Sequence, residues 1–80
     1  MTEGIRVVLK EHGRLSVLAE ALAEDENLYL AGMTSHASVN VMLALEGKFD
    51  IEFPDRMLTR SVFQSIAAIR TALEELKAQG

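Results

Sequence analysis

The chain has 80 residues, enough for one domain with a modest hydrophobic core, and its 49% hydrophobic content excludes a disordered tail. Cysteine is absent, which excludes disulfides, thiolate metal sites and cysteine nucleophiles, and the net charge of −4 disfavours a nucleic-acid ligand. No apolar stretch approaches the roughly 20 residues of a membrane span and no leader pattern opens the chain, so we expect a soluble, cytoplasmic, single domain over residues 1–80.

The first predicted element is an amino-terminal helix. The residues at helical spacing are Ile5, Val8, Leu9 and His12. The pattern continues nearly in phase through Leu15, Leu18, Ala19 and Leu22. Gly13 interrupts this pattern. It is either a helix-interior glycine, at a cost of about 1 kcal/mol, or the residue that ends a helix of about ten residues. Periodicity alone does not choose between the two.

The next stretch, "AEDENLYLAGM", is predicted to be a loop pinned by the apolar residues Leu28, Tyr29 and Leu30. Its acids Glu24, Asp25 and Glu26 indicate a solvated loop. A calcium-binding loop needs alternating ligands that end in a glutamate twelve positions along, and that pattern is missing.

A second helix is predicted to begin at Thr34 or Ser35, since both residue types accept hydrogen bonds from a first helical turn, an effect of about 1 kcal/mol. One hydroxyl is enough for a cap, so the other is available to carry a group. A plain structural cap is the alternative for Ser35. Neither residue completes a capping box, because Ala37 and Ser38 stand three positions on, where Glu or Gln is required.

The second helix is apolar over an unusually wide arc. One face is predicted from helical spacing, and its members are Val39, Met42, Leu43, Glu46 and Phe49. Val41 and Leu45 lie off that face, so we expect part of the arc to face a ligand or a partner.

The segment "DIEFPD" is predicted to be an extended loop with Ile51 and Phe53 turned inward, because Pro54 and the lack of a partner strand disfavour a sheet. Thr59 can cap a short helical turn that holds Val62 and Phe63. Ser65 can cap a last helix, whose inward residues are Ile66, Ile69, Leu73 and Leu76. The prediction is an all-α bundle of three longer helices and one short helix.

The polar residues do not form a catalytic or metal site. Ser35 and His36 are adjacent on a helix and point about 100° apart, and the chain lacks a G-x-S-x-G elbow. His12 and His36 are too far apart in sequence, without spaced acids, to form a metal motif. Met33 and Met57 either line an opening near Ser35 or fill the core. We therefore expect no enzymatic activity and no metal.

The stretch "AGMTSHASVNVMLALEGKFDIEFPD" resembles the central signature of acyl carrier proteins, in which Gly-Leu-Asp-Ser-Leu precedes a helix ending in Leu-Glu-x-x-Phe, followed by an extended piece and Pro-Asp. The residues that carry the resemblance are Gly32, Met33, Thr34, Ser35, His36, Val39, Leu45, Glu46, Phe49, Ile51, Pro54 and Asp55. "FQSIAAI" is similar to the start of the family's final helix, so the resemblance covers nearly the whole chain.

The resemblance implies that Ser35 is the attachment point of a covalent 4′-phosphopantetheine arm, installed from coenzyme A by a phosphopantetheinyl transferase. The thiol of that arm would hold acyl groups as thioesters for acyl-activating, ketosynthase or acyltransferase-type enzymes. It also implies a monomer in which Gly13 ends the first helix and residues 14 to 33 form a long ordered loop. In such carriers the bundle can open to admit an acyl chain.

Departures from the family pattern suggest a specialised carrier. Thr34 stands where an aspartate is usual and His36 where an apolar residue is usual. Along the second helix, positions that are commonly acidic in fatty-acid synthesis carriers hold Ala37, Asn40, Gly47 and Lys48. Because acids at these positions attract basic partner surfaces, we expect a different set of partners, in a specialised lipid or polyketide-type pathway. A peptidyl carrier and an unmodified helical interaction module remain the alternatives, and a helix-turn-helix DNA binder is disfavoured by charge.

Overall fold

Three α-helices form the fold: α1 spans Thr2–His12, α2 spans Ser35–Phe49 and α3 spans Ile66–Gln79. Single turns of 3₁₀ helix cover Ala19–Ala21 and Asp55–Met57. The computed structural model describes residues 1–16 and 18–79, and no β-strand occurs in those ranges. The predicted all-α class is thus confirmed, and no helix in those ranges is long and apolar enough to cross a membrane.

The predicted short fourth helix after Thr59 takes a different form. The segment makes hydrogen-bonded turns, from the Val62 N–H to the Thr59 carbonyl (3.3 Å) and from the Phe63 N–H to the Arg60 carbonyl (3.2 Å). The Gln64 carbonyl accepts the Leu28 N–H at 2.7 Å, which ties the segment to the opposite loop before a helical turn can be completed. Three α-helices with short 3₁₀ turns therefore replace the expected four-helix bundle.

Helix α1 ends where the family resemblance implied. The Gly13 N–H donates to the Leu9 carbonyl at 2.8 Å, and a Cβ added to Gly13 would lie 2.7 Å from that oxygen. The left-handed turn after the helix falls on Arg14, with φ of 53°, and not on the glycine. The next described helical residues are those of the single 3₁₀ turn at Ala19–Ala21, so the apolar pattern beyond Gly13 does not continue α1. Leu18, which belongs to that pattern, is 71% exposed.

The connection between α1 and α2 is held by hydrogen bonds. The Ser16 N–H and hydroxyl both donate to the Ala31 carbonyl, at 2.9 and 2.8 Å. The turn that follows Asn27 buries Leu28 and Ala31, which are three residues apart and share one side of the turn. Leu30 therefore faces outward and is 85% exposed, so the prediction that it anchors the loop is wrong.

The core draws on all three helices and on the loops. Its largest fully buried side chains are Ile5, Leu9, Leu28, Val41, Leu45, Ile66, Ile69 and Leu73. The extended segment contributes Phe53, whose ring meets the Phe63 ring edge-on with centroids 5.2 Å apart. Ser65 caps α3 as predicted, because its Oγ accepts the Ala68 N–H at 3.1 Å.

The face of α2 that helical spacing groups together is not the buried one. The buried stripe is Ala37, Val41 and Leu45, at successive intervals of four residues, and it faces the interior where α2 packs on α1. Val39 and Leu43 lie on the other side and are 50% and 55% exposed. Two apolar side chains are thus left at the surface of the helix that begins with Ser35.

Candidate functional site

Thr34 and Ser35 have separate roles at the start of α2. Thr34 is the capping residue, with extended backbone angles, and its Oγ1 accepts the Ala37 N–H at 3.0 Å. Ser35 is the first residue of the helix and is exposed. Among the described residues its hydroxyl has no hydrogen-bond partner. The pair therefore supplies one oxygen to the fold and leaves a second one accessible to solvent.

The chain before the helix fixes the direction in which Ser35 is presented. Gly32 has φ of 116°, a conformation that side-chain-bearing residues rarely adopt, and a Cβ there would lie 2.9 Å from the Ser16 nitrogen. Met33 is buried and its N–H donates to the Leu28 carbonyl at 3.0 Å. The buried Met33 and the capping Thr34 together hold this end of α2 against the loop while Ser35 stays outside.

The start of α2 favours an anion. In the described part of the chain, the backbone N–H groups of Ser35 and His36 have no acceptor, and the first turn contains no acid. Unpaired N–H groups and the helix dipole together place partial positive charge beside the Ser35 hydroxyl. A phosphodiester formed on that oxygen would be stabilised where it stands.

A cavity of about 320 Å³ opens beside Ser35. One wall is α2, and the other walls come from the loop before it and from the segment before α3. The lining residues are Tyr29, Ser35, Ser38, Val39, Met42, Leu58, Thr59, Arg60 and Phe63. We call this cavity the serine groove. Its size is at the lower end of the range typical for small-molecule sites, and its lining is mostly apolar.

Arg60 and Tyr29 form a contact in the serine groove that sequence reasoning missed. The guanidinium carbon of Arg60 lies 3.9 Å from the centre of the Tyr29 ring, within cation–π distance. The two residues are far apart in sequence, and neither belongs to a motif. Arg60 lies in the turns that stand where the short helix was expected.

The other predicted residues are placed as follows. Met33 and Met57 are both buried in the core, so they do not line the serine groove, whereas Met42 does. His36 is exposed beside Ser35, and His12 is exposed at the end of α1. Within residues 1–16 and 18–79 no group of three potential metal ligands comes together.

Glu46 holds the loop that follows α2. Its Oε2 accepts the Phe53 N–H at 2.9 Å, and its carbonyl accepts the Ile51 N–H at 3.2 Å. The one acid that α2 retains is therefore engaged inside the fold. The outer surface of α2 offers apolar side chains and Lys48, so it lacks the negative charge common in fatty-acid synthesis carriers, as the sequence indicates.

Acids on other parts of the surface take part in local ties. Glu24 pairs with Arg70 of α3, and Glu20 lies 3.4 Å from the Lys10 ammonium. A backbone hydrogen bond, and then Lys10, lower the pKa of the Glu20 carboxyl below its usual range. The solvated acidic loop predicted at residues 24 to 26 is exposed, and Glu24 also links it to α3.

The fold and this helix end define a class: small helical carriers that present a serine at the start of a helix beside an apolar groove. Residues 12–73 match the family model described as "Phosphopantetheine attachment site", and the chain belongs to that family. It is therefore a carrier protein with a covalent 4′-phosphopantetheine, acted on by partner enzymes and not itself a catalyst.

The chain is similar to the aminoacyl carrier protein of Agrobacterium fabrum, with 43% identity over 74 residues, covering 92% of this chain and 89% of the relative. It is also similar to a chain in the crystal structure of an engineered Bradyrhizobium japonicum glycine:[carrier protein] ligase complexed with a carrier protein from Agrobacterium tumefaciens and AMP. The TM-score there is 0.90 at 43% identity, covering 92% of this chain and 99% of that one.

A third similar structure contains Bradyrhizobium japonicum glycine:[carrier protein] ligase complexed with glycylated carrier protein. The TM-score is 0.76 at 28% identity, covering 89% of this chain and 95% of that one. The names of these relatives describe an aminoacyl carrier and a glycylated carrier. The lipid or polyketide-type pathway expected from the sequence finds no support among them.

Proposed function

We propose that this protein is an aminoacyl carrier, in which Ser35 holds the 4′-phosphopantetheine arm and the arm's thiol holds an amino acid as a thioester. The observation that carries the proposal is the division of roles at the start of α2. Because the Thr34 oxygen satisfies the helix, the Ser35 hydroxyl can be consumed by modification without the loss of a cap. The relatives supply the class of cargo.

The attachment step uses coenzyme A and a phosphopantetheinyl transferase. The Ser35 oxygen forms a bond to the phosphorus that bears the pantetheine. The pyrophosphate bond of coenzyme A breaks, adenosine bisphosphate leaves, and the hydroxyl proton passes to a base of the transferase. In this step the protein presents the oxygen and stabilises the phosphodiester anion with the free N–H groups of α2.

The loading step would be carried out by an amino acid:[carrier protein] ligase. Such a ligase transfers the aminoacyl group from AMP to the sulfur of the arm, so that a thioester forms, the bond to AMP breaks and the thiol proton is released. Structures of related carriers with a ligase and AMP support this type of partner. The exposed Val39 and Leu43, next to the attachment serine, offer an apolar surface to it.

The proposal treats residues 1–80 as one carrier domain that acts as a monomer in the cytoplasm. The single domain is supported by the single core, which includes side chains from Ile5 in α1 to Leu73 in α3. No second hydrophobic cluster appears in the described part of the chain.

Intact-protein mass spectrometry tests the attachment. Incubation with coenzyme A and a transferase of broad tolerance is expected to add one phosphopantetheine mass to the protein, and none to Ser35→Ala. Ser38→Ala is the matched control, because Ser38 lies one turn further on and lines the same groove. A mass increase that persists in Ser35→Ala, or that is absent from the unaltered protein with several transferases, would contradict the proposal.

Loading is tested on the modified protein with a glycine:[carrier protein] ligase, ATP and single amino acids. An added aminoacyl mass that hydroxylamine removes would identify a thioester, since that nucleophile cleaves thioesters and leaves amides. Loading by fatty acyl or malonyl groups with their own activating enzymes, and by no amino acid, would point back to an acyl pathway.

A further inference from the structure

Arg60 places a positive charge in the serine groove without an acidic partner. Its guanidinium is stacked on the Tyr29 ring at 3.9 Å, and both side chains line the cavity that Ser35 also lines. Among the described residues no carboxylate forms an ion pair with it. The ring restricts the guanidinium in orientation while leaving its N–H donors free.

Three other arginines in the fold are engaged by oxygen atoms. Arg56 pairs with Glu75 at 3.7 Å, and Arg70 donates to Thr2 and pairs with Glu24. Arg6 donates to two loop carbonyls, those of Ala19 and Leu22. Arg60 differs from these three because an aromatic face holds it and its donors point to no oxygen of the described chain. Arg14 also bonds to no oxygen of the described chain, but it does not line the serine groove.

The groove thus combines two sources of positive charge. One is the start of α2, with the free N–H groups of Ser35 and His36, and the other is the Arg60 guanidinium. The remaining surface is largely apolar, from Val39, Met42, Leu58 and Phe63. A phosphate oxygen pair matches a guanidinium fork, and a flexible apolar chain matches the rest of the lining.

We propose that Arg60 is a positioning residue that binds the phosphodiester of the prosthetic arm and lays the first part of the arm along the serine groove. The inference depends on the proposed function, since it requires the arm to be attached at Ser35. Tyr29 acts through Arg60 by holding the guanidinium over the groove. The arm of this carrier therefore has a resting position on the protein from which partner enzymes withdraw it.

The test uses fully modified protein, so that differences in transferase rate play no part. Proton–nitrogen NMR is recorded on the apo and holo forms, and the Arg60 side-chain Nε–H signal is expected to shift on modification. The Arg56 signal serves as the internal control, because Arg56 is ion-paired at a different cavity. It is expected to stay unchanged.

Variants test the contact between Arg60 and the phosphodiester through the phosphorus NMR signal. The phosphorus NMR signal of the holo protein is expected to shift in Arg60→Ala and to stay in place in Arg56→Ala. Tyr29→Leu, which removes the ring that holds the guanidinium, is expected to give a shift between those two. Arg60→Lys keeps the charge and loses the planar stack, so it is expected to recover only part of the wild-type shift.

The outcomes separate the two proposals. If mass spectrometry shows complete modification at Ser35 while the Arg60 Nε–H and the phosphorus signal of Arg60→Ala are unmoved, the inference is wrong and the proposed function stands. If no arm is attached at Ser35, both are wrong. A shift that disappears at high salt in the unaltered protein supports a contact between charges.

Discussion

The starts of α2 and α3 are built from similar residues and differ in what they leave free. At α3 the Ser65 oxygen accepts the Ala68 N–H at 3.1 Å, and the Glu24 carbonyl accepts the Ala67 N–H at 2.8 Å. At α2 Thr34 alone makes the equivalent bond, and the hydroxyl of Ser35 and two backbone N–H groups have no partner among the described residues. In the described part of the chain, the start of α3 leaves only the Ile66 N–H without an acceptor and has no spare hydroxyl, whereas the start of α2 is open to a ligand.

This difference shows that a hydroxyl before a helix is informative only when another residue already provides the cap. A lone serine such as Ser65 is fully accounted for by the stability of its helix. The doubled pair at α2 has one more oxygen than the helix uses. The surplus oxygen, and not the helix start as such, distinguishes a place for modification from an ordinary cap.

The largest expected change in stability comes from a substitution in the turn that leads into α2. Gly32→Ala should lower the free energy of unfolding by about 1–3 kcal/mol, because φ of 116° is strained for alanine and the new Cβ would press on the Ser16 backbone. Urea denaturation measures the change. We also expect slower modification of Ser35, since this turn sets its direction.

Gly47→Ala is the matched control for that experiment. Gly47 lies inside α2, is exposed, and has nothing within 4 Å of an added Cβ. The substitution should raise the free energy of unfolding by about 0.5–1 kcal/mol through helix propensity and leave modification unchanged. Equal stability of the Gly32→Ala and Gly47→Ala proteins would contradict the role given to the turn.

Substitution of the capping residues is expected to give the next largest changes in stability. Ser65→Ala and Thr34→Ala should each lower the free energy of unfolding by about 1 kcal/mol, since each leaves a first-turn N–H without its acceptor. Ser35→Ala should stay within about 0.5 kcal/mol of the unaltered protein, because its hydroxyl supports nothing in the fold. Thermal or urea unfolding of the three apo proteins makes the measurement.

Attachment of the phosphopantetheine arm should divide the same three variants differently from their stability. Ser65→Ala and Thr34→Ala retain the Ser35 hydroxyl and should accept the arm, while Ser35→Ala should not. If Ser35→Ala proved as destabilising as Ser65→Ala, Ser35 would be a second structural cap, and the contrast between the two helix ends would be lost.

Much of this arrangement could be predicted from local signals in the sequence. Apolar periodicity predicts the three helices, although the end of the first at Gly13 comes from the family resemblance, and the preference of hydroxyls for helix starts predicts Ser65 as a cap. The same preference led to the interpretation that one member of the Thr34-Ser35 pair is free. These predictions hold because capping and periodicity are decided within a few residues of chain.

The failures arose where packing between distant segments decides the outcome. A helix that is apolar over a wide arc can be rotated without an obvious change in burial, so the sequence did not determine which face of α2 is inward. The cation in the groove depends on turns after Thr59 that are fixed by a hydrogen bond between Leu28 and Gln64. No local pattern connects Arg60 to Tyr29.

The smallest expected effect on stability is that of Thr34→Asp. This substitution tests whether Thr34 only caps α2 or is also part of the attachment site. Aspartate caps a helix at least as well as threonine, and its charge is favourable beside the dipole, so stability should change by no more than about 0.5 kcal/mol, toward a gain. Modification by the transferase should persist, because an aspartate before the serine is usual among acyl carrier proteins. Loss of modification in a folded Thr34→Asp protein would show that a neutral hydroxyl is needed beside Ser35. In that case the added negative charge would be opposing the phosphodiester at the same helix end, and Thr34 would be part of the site as well as its cap.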